Sequence, residues 1–113
     1  MKQKRIRTFF VGVVVVTLFA FCASSARAQS AGETLFKTKC AACHGADGKG
    51  DTPVGKKMGA HDFASPEVQK QSDSELTQIV SKGKNKMPGF EAKLKPEDIK
   101  ALVAYVRQLG KGK

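Results

Sequence analysis

The 113-residue chain has no tryptophan, one tyrosine, two histidines and three cysteines. Acidic residues are scarce as well: ten, against twenty lysines and arginines, for a net charge of +10. A length of this order fits one domain and excludes a multidomain enzyme or a large α/β fold. No alternating apolar–polar run signals a strand, and no segment repeats another. The longest apolar run, Phe9–Ala23, covers 15 residues. As a helix it reaches roughly 22 Å, short of the ~30 Å hydrocarbon core of a membrane. What remains is an ordinary balance of 41% hydrophobic and 27% charged residues, which argues against wholesale disorder.

The amino terminus reads as a targeting segment. Lys2, Lys4, Arg5 and Arg7 precede the apolar run, and Ala26-Arg27-Ala28 places small residues where a signal peptidase reads them. This is the pattern of a secretory signal peptide, residues 1–28, with cleavage after Ala28 and residues 29–113 as the exported domain. Retention as a membrane anchor is the lesser reading. Phe21 before Cys22 argues against a lipoprotein site, which wants a small residue there. Residues 1–28 hold five of the basic residues and none of the acids, so the 85 that follow carry a net +5 and only Cys40 and Cys43. A domain of that size buries a low fraction of its surface and often needs a staple. One disulfide between residues three apart would close almost no loop, so something else must complete the core.

The motif that supplies it is Cys40-Ala41-Ala42-Cys43-His44. C-x-x-C-H is an attachment signature for c-type haem. Helical neighbours at i, i+3 and i+4 share a face, so both sulfurs reach the vinyl edge of one porphyrin and the imidazole follows onto the iron. A thioredoxin-like disulfide would need a βαβ pattern, which is absent. A zinc site from Cys40, Cys43, His44 and His61 lacks a second ligand pair with suitable spacing. A second axial ligand is then required, and the candidates are Met58, His61 and Met87. Met87 is favoured by its setting, Gly83-Lys84-Asn85-Lys86-Met87-Pro88-Gly89-Phe90, a stiffened loop between two helical segments. Met58 also suits core packing, and His61 beside Asp62 suits a surface turn.

Helical patterns surround the motif. Ala31–His44 reads as one helix, Asp47–Gly59 as loop and Pro66–Gln71 as a short helix. Ser72-Asp73-Ser74-Glu75 is a capping box that opens a helix closed by Gly83. Pro96-Glu97-Asp98 begins the last helix, whose Ile99, Leu102, Val103 and Val106 share a face; Gly110 stops it. Lys95 stands where Ser or Asp would cap better.

Together, CAACH, KMPGF and PEDIKALVAYVRQL make residues 31–109 resemble a class I cytochrome c of the small bacterial type. The resemblance implies an all-α fold of about four helices around one covalently attached haem c, held through Cys40 and Cys43. It implies axial ligation by His44 and Met87, and no catalytic residues. It implies crossing terminal helices, with Gly32 and Phe36 meeting Leu102 and Tyr105, and a proline carbonyl, for which Pro53 is the candidate, on Nδ1 of His44. Phe63 and Phe90 are expected at the pocket. The tryptophan that some members place near the propionates is missing. The implied function is a monomeric periplasmic one-electron carrier that docks transiently on redox proteins. Lys82, Lys84, Lys86 and Lys93, with Lys37, Lys39, Lys49, Lys56 and Lys57, would steer acidic partner surfaces. Nucleic acid is not expected as a partner. The other reading is a haem subunit, or a sensor or peroxidase-like module with a labile sixth ligand. Against an enzyme, His61 is the only histidine left for acid–base work.

Overall fold

The structure is a computed structural model, and it describes residues 26–112. The rest of the expected signal segment, Cys22 included, lies outside the described residues. Helix α1 covers residues 26–39 and is followed by α2, Ala41–His44, then α3, Pro53–Met58, and α4, Pro66–Gln69. Helix α5, Asp73–Lys82, runs into a two-stranded ribbon of β1, Gly83–Lys84, and β2, Met87–Pro88; α6, Pro96–Gly110, closes the chain. This is the all-α architecture expected.

The helices form where their ends are chemically satisfied. Thr52, Ser65 and Ser72 each accept a backbone N–H at a helix start, and proline follows the first two at the first helical position. Ser72 and Glu75 complete the expected capping box: the Ser72 N–H donates to Glu75 Oε2 at 2.6 Å and the Glu75 N–H to Ser72 Oγ at 3.1 Å. At α6 only half of such a box exists, because Lys95 offers no side-chain acceptor. Asp98 Oδ2 takes the Lys95 N–H at 3.3 Å.

Four local expectations need correction. Ala31–His44 is not one helix: the backbone turns at Cys40 (φ −120°, ψ −34°), separating α1 from α2, and α1 begins upstream of Ala31. The stretch Asp47–Gly59 is not all loop, because Thr52 and Pro53 supply cap and first position for α3. Residues 83–88 pair as a ribbon, Gly83 opposite Pro88 and Lys84 opposite Met87, with Asn85 at φ 54° in the turn. Two residues per strand are too few to show an alternating pattern. As expected, α6 ends at Gly110, but not through a left-handed residue there: a Cβ on Gly110 would come 2.6 Å from the Phe63 carbonyl oxygen, and the positive φ falls at Gly112. Gly83 does have a positive φ, 82°, but its ψ of 167° leads into β1 rather than a left-handed cap.

The core sits where α1 crosses α6. Phe36 is fully buried and Leu102 nearly so. The Phe36 ring lies 5.4 Å from Tyr105 and 6.0 Å from Phe63, centre to centre, both tilted as aromatic pairs prefer. The crossing is close because residue 32 is glycine: a Cβ there would stand 2.3 Å from the Ala101 carbonyl oxygen. The implied contact of Gly32 and Phe36 with Leu102 and Tyr105 is therefore present. Arg107 ties α6 to the other side. Its Nε donates to Asp73 Oδ1 at 2.8 Å, and its terminal nitrogens donate to the carbonyls of Gln69 and Gln71.

Replacing Gly32 by valine forces α1 and α6 apart, and the expected loss is about 1–3 kcal/mol. Urea unfolding of the haem-loaded protein measures it. Glu75 gives a second test. The Ser72 N–H holds its carboxyl below the ordinary carboxylate range, so its contribution is present above the unfolded-state pKa and lost as pH falls through the folded one. Unfolding midpoints between about pH 3 and about pH 6 should fall more steeply for the parent chain than for Glu75→Gln.

Candidate functional site

A cleft of about 370 Å³ opens beside the core, within the size range of small-molecule and cofactor sites. Its walls are mainly apolar. Phe36, Leu102, Val103 and Val106 come from α1 and α6; Leu76, Ile79 and Val80 come from α5. Cys40, Cys43 and His44 line it from the α1–α2 junction, Met58 from α3, and Met87, Pro88 and Phe90 from the ribbon and the residues after it. All four sequence-singled residues, Cys40, Cys43, His44 and Met87, thus face one cavity. So do both alternatives for the sixth ligand: Met58, which is 40% exposed, and His61, whose Nδ1 lies 3.6 Å from Glu67 Oε2. Met87 is half-buried and held opposite Lys84 in the ribbon.

Backbone contacts fix the C-x-x-C-H segment. The His44 N–H donates to the Cys40 carbonyl at 3.0 Å, and the Gly50 N–H to the His44 carbonyl at 2.8 Å. Thr52 Oγ1 stands 2.9 Å from the carbonyls of both Ala42 and Cys43, so its single proton is shared between them. The same oxygen accepts the Gly55 N–H at 2.8 Å. Helix α3 approaches so closely that a Cβ on Gly55 would lie 2.1 Å from the Cys43 carbonyl oxygen. On the ribbon side, a Cβ on Gly83 would lie 2.5 Å from the Met87 carbonyl oxygen, and one on Gly89 2.6 Å from that of Ser81. The two sulfur-bearing walls are therefore set by backbone packing. Thr52 escaped the sequence reading, although threonine before proline is a helix-start signal. Nothing in the sequence marked Gln71, which also lines the cleft.

The electrostatics are those of a dry wall. Burial, then the charge of Cys43, pushes the Cys40 thiol up to about 11, so it is protonated at neutral pH. Cys40 and Cys43 are not joined to each other. Burial, then the nearby His61, holds His44 below the usual histidine range. Its imidazole is neutral at pH 7 and keeps a lone pair for a metal. The ring packs on Phe63, 4.8 Å between centres. Its Nδ1 is buried with no hydrogen-bond partner, so the expected bond to Pro53 is absent. Pro53 opens α3, and a carbonyl at the first helical position points along the axis toward the amide four residues on. Among the described residues, no three His, Cys, Asp or Glu side chains stand together to hold a metal ion. Two thiols, a neutral imidazole with an unsatisfied nitrogen and a thioether around an apolar cleft do fit haem c.

The family profile described as cytochrome c oxidase, cbb3-type, subunit III matches residues 27–106. The chain belongs to this c-type cytochrome family. The cytochrome is 36% identical over 102 residues to cytochrome c6 of Nostoc sp., covering 89% of this chain and 86% of that one. It is 39% identical over 84 residues to the cbb3-type cytochrome c oxidase subunit FixP of Bradyrhizobium diazoefficiens, covering 73% of this chain. It spans only 28% of that subunit. A solved c-type cytochrome, KustC0563, superposes with a TM-score of 0.64 at 40% identity, over 69% of this chain and 95% of its own. The relatives named here are c-type cytochromes and a subunit of a cytochrome c oxidase.

Thr52→Val keeps the shape of the side chain and deletes both its donor and its acceptor. It strands the Gly55 N–H and frees the Ala42 and Cys43 carbonyls, at an expected cost of about 1–3 kcal/mol. Thr52→Ser retains the bonds and should stay within about 0.5 kcal/mol of the parent; denaturant midpoints of the two variants decide.

Proposed function

We propose that the protein is an exported, single-haem electron carrier, with Cys40 and Cys43 forming the two thioethers and His44 and Met87 the two axial ligands. The observation that carries this is the convergence of those four side chains on one apolar cleft of a chain that matches cytochrome c6 over most of both lengths. Bound there, haem c supplies a one-electron couple whose potential His/Met ligation and burial raise.

The chain's own residues do the rest. Burial keeps His44 neutral, so its lone pair is available without competition from a proton. Met87 is chosen over Met58 because the ribbon and two glycine contacts fix its backbone, whereas Met58 lies exposed on a short helix. With both axial positions filled, no place is left for a substrate, which is why a carrier is favoured over an enzyme. The apolar walls from α5 and α6 exclude water and limit reorganisation when the charge at the site changes. Lys39, Lys84 and Lys86 border the cleft. Lys37, Lys56 and Lys82 are paired with Glu33, Asp51 and Glu91, so the charge that would steer acidic redox partners rests on Lys39, Lys84 and Lys86 at the cleft, with Lys49, Lys57 and Lys93 beyond it. Residues 1–28 act as the export signal, with the periplasm as destination.

One observation favours a second reading. The family profile is that of an oxidase subunit, and the chain corresponds to about a quarter of such a subunit's length. A haem module docked permanently on a larger oxidoreductase would share this site, and co-purification with native partners separates it from a free carrier.

Spectra of the purified protein provide the test. A c-type reduced spectrum, a weak oxidised sulfur-to-iron band and indifference to carbon monoxide are expected. Met87→Ala should abolish the sulfur band and admit carbon monoxide while leaving the pigment covalently attached; Met58→Ala should change neither. Rapid carbon monoxide binding by the parent protein would overturn the carrier reading.

A further inference from the structure

Two buried side-chain atoms among the described residues have no hydrogen-bond partner: Nδ1 of His44 and Oε1 of Gln71. The first belongs to the proposed axial ligand. The second has no role in anything described so far, yet Gln71 lines the same cleft. A buried polar atom without a partner is unfavourable, and native structures rarely keep one without reason.

The position of Gln71 is imposed. It lies between α4 and α5, one residue before the Ser72 cap, and Arg107 of α6 donates to its main-chain carbonyl while binding Asp73 through Nε. Its Nε2 makes one contact, to the Glu67 carbonyl, at a long 3.3 Å. The residue is thus a fixed amide in a wall otherwise built by Val68, Leu76, Leu102 and Val103.

We propose that the Gln71 side-chain amide hydrogen-bonds a propionate carboxylate of the bound haem. This rests on the haem reading above. The periphery of the porphyrin consists of methyls, the two thioether arms and two propionates, so only the carboxylates form hydrogen bonds with an amide. An ionised carboxylate is an acceptor. The amide therefore presents Nε2 where Oε1 now stands, by turning over about its terminal torsion, which interchanges two groups of nearly equal shape. The turn gives up the long contact to Glu67 and sets Oε1 against that carbonyl instead, a cost that the charge-assisted bond in a dry wall outweighs. Gln71 is a positioning residue: it fixes the tilt of the group by its carboxylate end, as Cys40 and Cys43 fix the other.

The test uses the haem-loaded protein in its reduced, diamagnetic state with ¹⁵N-labelled glutamine. The Gln71 side-chain amide protons should exchange slowly with solvent and show nuclear Overhauser contacts to propionate methylene protons. In resonance Raman spectra, Gln71→Leu should shift the propionate bending mode while the c-type absorption is retained. Fast exchange with no such contact, or an unshifted mode in the variant, overturns the assignment and leaves the haem site standing. A protein without c-type absorption overturns both. If the variant cannot be recovered loaded, the magnetic-resonance result on the unaltered protein decides alone.

Discussion

The chain cannot close its own core. Among the described residues, the apolar faces of α1, α5 and α6 line a cleft instead of packing on one another, and the 85 residues after the expected cleavage point hold only two cysteines, three apart, so no disulfide framework can compensate. Everything else follows from that shortfall. Small domains sit near the limit at which burial offsets chain entropy. A cofactor that supplies a large flat apolar surface turns the defect into a site, and the two cysteines make the supplement permanent in the proposed reading. Stability and function then depend on the same surface, which explains why so little of the chain stands apart from the cleft.

Precision in this site comes from backbone packing more than from side-chain contacts. Glycine occurs at each close approach: Gly32 under α6, Gly55 against the C-x-x-C-H segment, Gly83 and Gly89 behind Met87, Gly110 against Phe63. At each, a single methyl group would collide with a carbonyl. Interiors are packed densely enough that such collisions shift whole elements. The glycines therefore set distances between the walls of the cleft, and the polar caps at Thr52, Ser65 and Ser72 set where each wall begins.

Much of this was readable from the residues. The periodic face of α6 and the Ser72–Glu75 box are local signals, each complete within a few positions, and each has its expected counterpart in the structure; the C-x-x-C-H motif is as local, and its three side chains line one cleft. The ribbon was not readable, because strands of two residues carry no period. The break at Cys40 was not readable either, since Leu35 and Phe36 on one side and His44 on the other continue a plausible helical face. Gly110 does end its helix, but its reason for being glycine, the Phe63 backbone, lies 47 positions earlier in the sequence and was not readable. Gln71 carried no signal at all: its significance depends on an arginine 36 residues away and on a cleft that exists only after folding. The ligation by Met87 belongs to neither group. Placement makes it the best candidate among three, and the sulfur band remains its test.

The crossing of α1 and α6 has a consequence for the order in which the molecule is assembled. The partner surface for Gly32 and Phe36 is provided by residues 101–105, far along the chain from α1. During synthesis α1 therefore has nothing to dock on until residues 101–105 have been made, 69 positions after Gly32 and Phe36. Closing a loop of that length is also the entropically slowest contact to form. In that interval residues 40–44 have no packed α1–α6 crossing beside them, whereas in the finished fold Cys40 and Cys43 are half-buried. Helix α6 thus acts in time as well as in space: the core closes only after the segment that bears both thiols has been made.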